Sequence, residues 1–538
     1  MSAGGLDMAD SPAFTDEESA RYRAAGWWSD VTLSDAVSAN AQHHADRVAY
    51  VDHLGGSLTW REFDSAATAL AEQLVGVGVV RGDRIAVWHG DSAAIHVLFA
   101  AIERCGAVVV GIGARAGSRE VAAILRGSRS TLLISDPVRS DAATRAAFGL
   151  PILELTDTDG APRLDVEAAG AALTSERRLG ADDVFLINST SGTTGMPKCV
   201  VHTQNRWYYF HQKAVANGHL TPDDVVLPVI PTPYGFGIWT SHTTPIYLGA
   251  TAVIQERFNA RATCQAIAAH RATVLCCVST QLTMLMADRA SREYDLSSLR
   301  VVFTGGEALP YRPAADFETL TGATILQFYG SNETGILSAT TLSDPQPRRL
   351  RTAGRIVPEM SVRLFDGDRD VTDAGRGQPA CRGPATSLGY LDGTDHDQLF
   401  TRDGWMRMGD IAEIDADGYL TVTGRTSDFI LRGGKNISAA QVEDAAATHP
   451  AIAVAAAVAM PDPVFGEKVC LYTELVDSQA LDLPALVQHL LAVGVSKELL
   501  PERLVVLDEL PRSSGGKVAK GVLREDIRAR MEAGHGRS

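Results

Sequence analysis

The sequence predicts an α/β protein in three parts. A large region is built on parallel, doubly wound sheet, a small twisted sheet or barrel follows, and a compact α+β unit ends the chain. Three observations carry this. Apolar strand-like runs alternate with amphipathic helical stretches from Val31 to about Gln327, the pattern of repeated βαβ units. From about Gly354 glycine, proline and aspartate become frequent and the strands shorten. After Gly424 comes a separate block of about a hundred residues, a size suited to an independent unit.

The elements follow in order. Residues 1–28 read as a flexible leader with an apolar end, Trp27-Trp28, residues 29–425 as the large domain, and residues 426–538 as the small one. Arg61–Val77 has helical amphipathicity, Arg84–Trp88 is a buried strand, Ala93–Cys105 a helix and Ala107–Ile112 a second strand. Past a hydroxyl-rich segment the rhythm resumes with helix Asn205–Ala216, strand Asp224–Val229, helix Ala260–His270, strand Thr273–Val278 and helix Gln281–Ala287. Val301–Thr304 and Thr324–Gln327 are further short strands, and Ser361–Phe365, Ala412–Asp415 and Tyr419–Thr423 belong to the twisted sheet. The last block reads as strand Phe429–Leu431, helix Ala439–His449, strands Ile452–Val458 and Val469–Leu475, and helix Leu483–Val493.

Hydrophobic content of 45% and charged content of 21% are near globular averages, so a sizeable core is expected. A net charge of −16 argues against nucleic acid or an anionic membrane as partner. Seven cysteines without C-x-x-C spacing read as reduced thiols, not as a zinc site or disulfide framework. Asp7, Asp10, Asp16, Glu17 and Glu18 stand where a signal peptide needs basic and then apolar residues. The apolar run Val97–Ala114 is broken by Glu103 and Arg104, so no integral membrane segment is expected and the location is read as cytoplasmic.

Ser189-Thr190-Ser191-Gly192-Thr193-Thr194-Gly195-Met196-Pro197-Lys198 is the most informative stretch. Glycines let successive N–H groups approach an anion, the hydroxyls add donors, and Lys198 adds a mobile charge, which together suit a polyphosphate. A Ser/Gly-rich surface loop is the commoner fate of this composition. Strand-like Val184–Ile187 leading in and Cys199-Val200-Val201 leading out argue against that fate. It is not a Walker loop, because Lys198 follows Met-Pro and has no hydroxyl residue after it.

This loop resembles the signature of the adenylate-forming superfamily, which comprises acyl- and aryl-CoA synthetases, luciferases and the adenylation domains of peptide synthetases. The resemblance runs from Val31 to about Arg528 with five motifs in order. It implies two doubly wound αβαβα sheets plus a small distorted β-barrel, followed by a small mobile α+β domain. It also implies ATP, Mg²⁺ and, in the CoA-ligase branch, coenzyme A.

Further motifs take their roles from the same resemblance. Gln327–Gly335 supplies Tyr329 to stack on adenine, Gly330, Ser331 and Asn332 near the α-phosphate, and Glu333 as metal ligand and catalytic residue; Asn332 stands where the family usually has Thr. Gly305, Gly306 and Glu307 are similar to the loop along the adenine and acyl pocket of aryl-CoA ligases, which tilts the substrate toward an aromatic or cyclic acid. Asp410 and Arg425 match the pair that holds the ribose hydroxyls. Gly433 and Gly434 match the glycines of the CoA tunnel, although a plain hairpin turn suits them equally. The hinge falls at Ser427 or Asp428, and Lys517 in Pro511–Lys517 matches the catalytic lysine of adenylation. Phe236, Trp239, Gly305, Gly330 and Ile336 are expected to line the acyl pocket. Many relatives carry a gating His shortly before the Tyr-Gly of 234–235; here Pro231, Thr232 and Pro233 stand there.

The expected reaction is activation of a carboxylic acid to an acyl-adenylate, then transfer to coenzyme A. Alternatives are another acceptor (an amine, a carrier-protein thiol, or nitrite acting on an aryl amine) and a non-catalytic nucleotide-binding protein. The expected partner is a small-molecule acid, with no nucleic acid and with a homodimer allowed.

Overall fold

Hydrophobic periodicity and end-capping account for the helices that frame the large domain. Thr59 and Glu62 close a reciprocal capping box on helix Trp60–Gly76, and Trp60, Phe63, Ala67, Leu70, Ala71 and Leu74 repeat at helical spacing on its buried face. Burying that face leaves the polar residues between them to solvent. Helix Ala93–Arg104 differs: it has no side-chain cap bond and is buried on every side, as suits a helix enclosed by its neighbours.

The structure is a computed structural model. It describes residues 14–52, 55–158, 161–166, 171–190, 197–391, 396–425, 429–432, 435–476, 479–493, 495–513 and 517–535. Strands expected as parallel units assemble into two sheets. In one, Leu132–Ser135, Arg84–Trp88, Val108–Ile112 and Val184–Thr190 run parallel, and Lys198–Thr203 returns antiparallel beside the last of these. The other orders Gly335–Ala339, Thr324–Ser331, Val301–Gly305, Val274–Cys276, Val225–Pro228 and Thr251–Ile254, parallel except for the first. Continuous runs of buried Val, Ile and Leu in these strands suit sheets covered on both faces. Strand Thr324–Ser331 runs four residues past its expected end and forms a hairpin with Gly335–Ala339.

The expected small barrel is a largely antiparallel sheet that includes Ser361–Asp366, Arg376–Arg382, Asp410–Ile414 and Leu420–Arg425. In the C-terminal unit, Ile452–Asp462 and Gly466–Leu475 form a long hairpin between helices Ala439–Ala446 and Lys520–His535. That unit packs its strand Ile452–Asp462 against helix Ser279–Ala287 of the large domain.

One expectation changes. Residues 14–28, read as part of a flexible leader, contain helix Asp16–Ala24 with its own capping box at Thr15 and Glu18. Tyr22 and Trp28 are buried, and the Trp28 indole donates to the Pro384 carbonyl at 3.1 Å. Aromatic anchoring at Phe14, Tyr22, Trp27 and Trp28 outweighs the polar composition between them.

Candidate active site

The crevice forms where the carboxyl ends of strands from both sheets meet, the position at which open α/β sheets take ligands. Val184–Thr190 brings in Ser189 and Thr190, and Lys198 pairs back across from Thr190 in the antiparallel return. Ser191, Gly192, Thr193, Thr194 and Gly195 lie outside the described residues, as do Ser427, Asp428, Gly433 and Gly434.

Lys198 places its ammonium 5.0 Å from the centroid of the Tyr390 ring, and the Tyr390 hydroxyl donates to Glu333 Oε1 at 2.9 Å. One aromatic residue thus links the loop lysine to the carboxylate. Behind Glu333 lies Arg206, fully buried, which donates to the carbonyls of Ala385 at 2.6 Å and Ser331 at 3.5 Å. Burial lowers the Arg206 pKa to about 9, and the Glu333 carboxylate acts in the opposite direction, so the guanidinium stays charged at neutral pH.

Arg206 also donates to His202 Nδ1. Burial, and after it Arg206, holds the His202 pKa well below its ordinary value. A neutral ring that accepts at Nδ1 carries its proton on Nε2, which is 2.8 Å from Asn188 Oδ1. The Asn188 and Asn332 amides then bond reciprocally, at 2.6 Å and 3.1 Å. A buried chain therefore runs from Arg206 through His202 and Asn188 to the residue beside Glu333. Asn332, expected simply to reach a phosphate, is locked to the strand that carries Ser189. The amide at Asn332 fits because Gly235 has no side chain; a Cβ there would stand 2.8 Å from Asn332 Oδ1.

On the opposite side of the crevice, Tyr329 donates its hydroxyl to Asp410 Oδ2 at 2.9 Å, and both residues are buried. Asp410 lies directly across its hairpin from Arg425. Ser331 is a turn organiser, its Oγ accepting from the N–H groups of Glu333 and Thr334 at 3.2 and 3.1 Å. Gly330 is required by that turn, since a Cβ would meet the Gly335 carbonyl oxygen at 1.7 Å.

Lys517 reaches this crevice from the C-terminal unit and donates to the Gly306 carbonyl at 2.8 Å. Gly306 has φ +80°, and a Cβ there would stand 2.9 Å from the Lys517 Nζ, so both the turn and the approach of the lysine favour glycine. Glu307, expected beside the nucleotide, has one carboxylate oxygen accepting from Ser279 Oγ, Thr280 Oγ1 and Thr280 N at 2.9, 2.7 and 3.2 Å. It fastens the loop to the start of helix Ser279–Ala287.

Next to Gly305 the crevice becomes aromatic. Phe328 meets Phe236 and Trp239 edge to face, each at 4.6 Å, and Trp239 lies 5.7 Å from Phe303. Ile336 is buried against this cluster. Phe236 and Trp239 come from a helical segment that widens into a π-turn over Trp239–Thr243, a distortion frequent at functional sites. Phe303 and Phe328 were not anticipated; their signal lay in strand ends already assigned to the crevice. In the segment Pro231–Pro233, where the resemblance leads to the expectation of a gating His, the Thr232 N–H donates to buried Asp91 at 3.0 Å. Burial pushes the Asp91 carboxyl up to about 6.

A single carboxylate at Glu333 is a hard oxygen donor of the kind Mg²⁺ takes alongside phosphate and water oxygens. Among the described residues no cluster of three or more His, Cys, Asp or Glu forms an all-protein metal cage. The donor set therefore fits a metal brought with a nucleotide.

Comparison with known proteins identifies a family. Residues 37–391 match the family described as AMP-binding enzyme, and residues 441–517 match the AMP-binding enzyme C-terminal domain. A medium-chain fatty-acid–CoA ligase of Escherichia coli (strain K12) is 30% identical over 96% of this chain and 94% of its own length. A 2,3-dihydroxybenzoate-AMP ligase of Bacillus subtilis (strain 168) is 28% identical over 96% of this chain and 98% of its own. Among solved structures, the anthranilate CoA ligase AuaEII in complex with anthranoyl-AMP superposes with a TM-score of 0.83 at 24% identity, covering 93% of this chain and 98% of that one.

Proposed function

The chain belongs to the AMP-binding enzyme family and is an adenylate-forming acid ligase, and from that premise we propose that it joins an aromatic or cyclic carboxylic acid to coenzyme A. The observation that carries the substrate side is the ring-lined slot of Phe236, Trp239, Phe303 and Phe328 beside Gly305. Edge-to-face walls favour a flat ring over a flexible chain. Gly305 lets Phe328 pack directly on the strand end, because any side chain there would collide with it.

In the first half-reaction a carboxylate oxygen attacks the α-phosphorus of ATP. The P–O bond to the β-phosphate breaks, and pyrophosphate leaves with that electron pair. Two anions must approach each other, so a cation placed between them lowers the barrier. Lys517, at the Gly306 carbonyl, is that cation. Lys198 and the 189–195 loop hold the departing phosphates, Tyr329 packs along the adenine, and Asp410 with Arg425 accepts and donates at the ribose. Glu333, supported by Tyr390 and Arg206, would hold Mg²⁺, which neutralises phosphate charge when bound. In the second half-reaction the coenzyme A sulfur attacks the acyl carbon, AMP departs, and a thioester forms. For this step the C-terminal unit turns about Ser427-Asp428, withdraws Lys517 and presents Gly433-Gly434.

Support for coenzyme A as acceptor comes from the medium-chain fatty-acid–CoA ligase to which the chain is 30% identical over 96% of its length. The test is pyrophosphate release across a panel of ring and chain acids, with coenzyme A, hydroxylamine or nitrite as acceptor. Coenzyme A is expected to raise turnover with ring acids; turnover indifferent to coenzyme A would overturn the acceptor, and preference for chain acids would overturn the slot.

A further inference from the structure

Asn188 stands one residue before Ser189, near the carboxyl end of strand Val184–Thr190, and is 1% exposed. A primary amide carries two donor hydrogens and an oxygen that accepts twice. Every one of those capacities is used. Oδ1 accepts from His202 Nε2 at 2.8 Å and from Asn332 Nδ2 at 2.6 Å, and Nδ2 donates to Asn332 Oδ1 and to the Pro233 carbonyl, each at 3.1 Å. Because His202 carries its proton on Nε2, the amide oxygen faces the ring, and the side chain has one orientation.

Three segments therefore meet at this one side chain: the strand that leads into the phosphate loop, the turn that carries Glu333, and the stretch 231–237, whose Phe236 walls the aromatic slot. Close packing and hydrogen bonding act on that stretch in opposite directions. A Cβ on Gly111 would stand 2.8 Å from Pro233 Cβ, and one on Gly235 2.8 Å from Asn332 Oδ1, so the stretch has little room to move inward. The bond from Asn188 to the Pro233 carbonyl opposes movement outward, because breaking it strands a donor and an acceptor away from water.

We propose, on the reading of this slot as the acyl pocket, that Asn188 is a positioning residue for acid activation: it holds the acid-binding stretch in register with the phosphate loop and with Glu333. Two reactants bound side by side lose about a hundredfold in rate for a misplacement of about 1 Å. Each ligand still keeps its own contacts, so loss of register falls on kcat and spares the affinity for either ligand alone.

The test uses the full chain and the best-turned-over of three ring acids, benzoate, phenylacetate and 3-phenylpropanoate. Asn188→Asp keeps the shape and both accepting roles, but as a carboxylate at pH 8 it cannot donate to Pro233 or Asn332. Asn332→Ala cuts the tie to the Glu333 turn and leaves the Pro233 bond in place. The readouts are kcat for ATP-dependent pyrophosphate release and the equilibrium Kd of the acid alone and of AMP alone. The stoichiometry of AMP binding counts the competent chains, so kcat per competent chain is untouched by any loss of fold. Both variants are expected to lower that kcat by about tenfold to a hundredfold, with each Kd within about twofold of wild type. A wild-type kcat in Asn188→Asp would overturn the inference, and if that variant does not fold, a wild-type kcat in Asn332→Ala would do so. A Kd that rises in step with the fall in kcat would overturn it as well, by assigning the amide to one ligand site alone. No turnover of the three acids by the wild-type chain would overturn the ring-acid reading and this inference with it.

Discussion

The nucleotide side and the acyl side of the crevice are built on different principles. On the nucleotide side hydrogen bonds hold the polar groups: Tyr390 to Glu333, Tyr329 to Asp410, and Arg206 through His202 to the two asparagines. On the acyl side the positions are held by ring edges and close backbone approach, with Gly305 under Phe328 and Gly237 against Pro231. Polar chemistry demands particular residue types and loses much when one changes. Apolar walls need only volume and shape. Substitutions should therefore act on rate at the first side and on selectivity at the second.

Lys517→Ala offers the largest break in that comparison. Acyl-adenylate formation should fall by about a hundredfold to a thousandfold, the scale for removing one group that stabilises developing charge. Thioester formation from supplied acyl-adenylate should stay near wild type, since the lysine is withdrawn by then. Measuring both half-reactions separately decides it, and an equal fall in both would show that Lys517 serves structure instead. Next in size is Asp410→Asn, which weakens an acceptor shared with Tyr329. The KM for ATP should rise by about tenfold, as expected for a hydrogen bond to a charged group, while the KM for the acid holds steady.

This division also explains what was legible in the sequence. In the sequence Lys198 stands out by the hydroxyls and glycines of its loop, whereas Glu333, Asp410 and Lys517 take their roles from the family resemblance; the structure links Lys198 through Tyr390 to Glu333, Tyr329 to Asp410, and Lys517 to Gly306. Tyr390 and Arg206 escaped notice although both support Glu333. An arginine inside an amphipathic helix reads as a surface charge until the fold buries it. Phe303 and Phe328 escaped for the opposite reason, since an aromatic at a strand end is routine core. Helix Asp16–Ala24 was hidden by its polar composition, its anchors lying at its flanks. Arg84–Trp88 and Val108–Ile112, by contrast, were legible almost to the residue, because burial on both faces enforces unbroken apolar runs, whereas the parallel strands Val48–Asp52, Leu132–Ser135 and Thr251–Ile254 were missed.

On the acyl side, Phe328→Ala should leave adenylation rate on a small ring acid within a few-fold and raise kcat/KM for longer or branched acids by about tenfold, because the ring is the shared contact of Phe236 and Trp239. A uniform loss across all acids would mean that the ring holds up the strand and does not gate the slot. Tyr390→Phe tests the intermediate case, an aromatic residue serving the polar side. It keeps the ring under Lys198 and deletes the bond to Glu333. The Mg²⁺ concentration for half-maximal rate should rise about threefold to tenfold, the worth of one hydrogen bond to a carboxylate; an unchanged Mg²⁺ dependence would detach Tyr390 from the metal site.

The smallest effect concerns Asp91, a buried carboxylate that accepts from the Thr232 N–H. Burial raises its pKa to about 6, against about 3.9 for an exposed aspartate. The folded state therefore binds a proton that the unfolded state releases more readily. Below about pH 4 both states are protonated and the group is neutral in its effect. As pH rises from about 4 to 6 the unfolded state ionises first, and stability falls; above about 6 the full loss, of order 3 kcal/mol, is present. Asp91→Asn keeps the acceptor for the Thr232 N–H without the charge. Its Tm should exceed that of the wild-type chain by a few degrees at pH 8 and by almost nothing at pH 4. Thermal melts at the two pH values separate this from a general packing gain, which would raise Tm equally at both. An equal rise would also mean that the charge at Asp91 is compensated in the folded chain, and that the acyl side, like the nucleotide side, is held by a paired polar group.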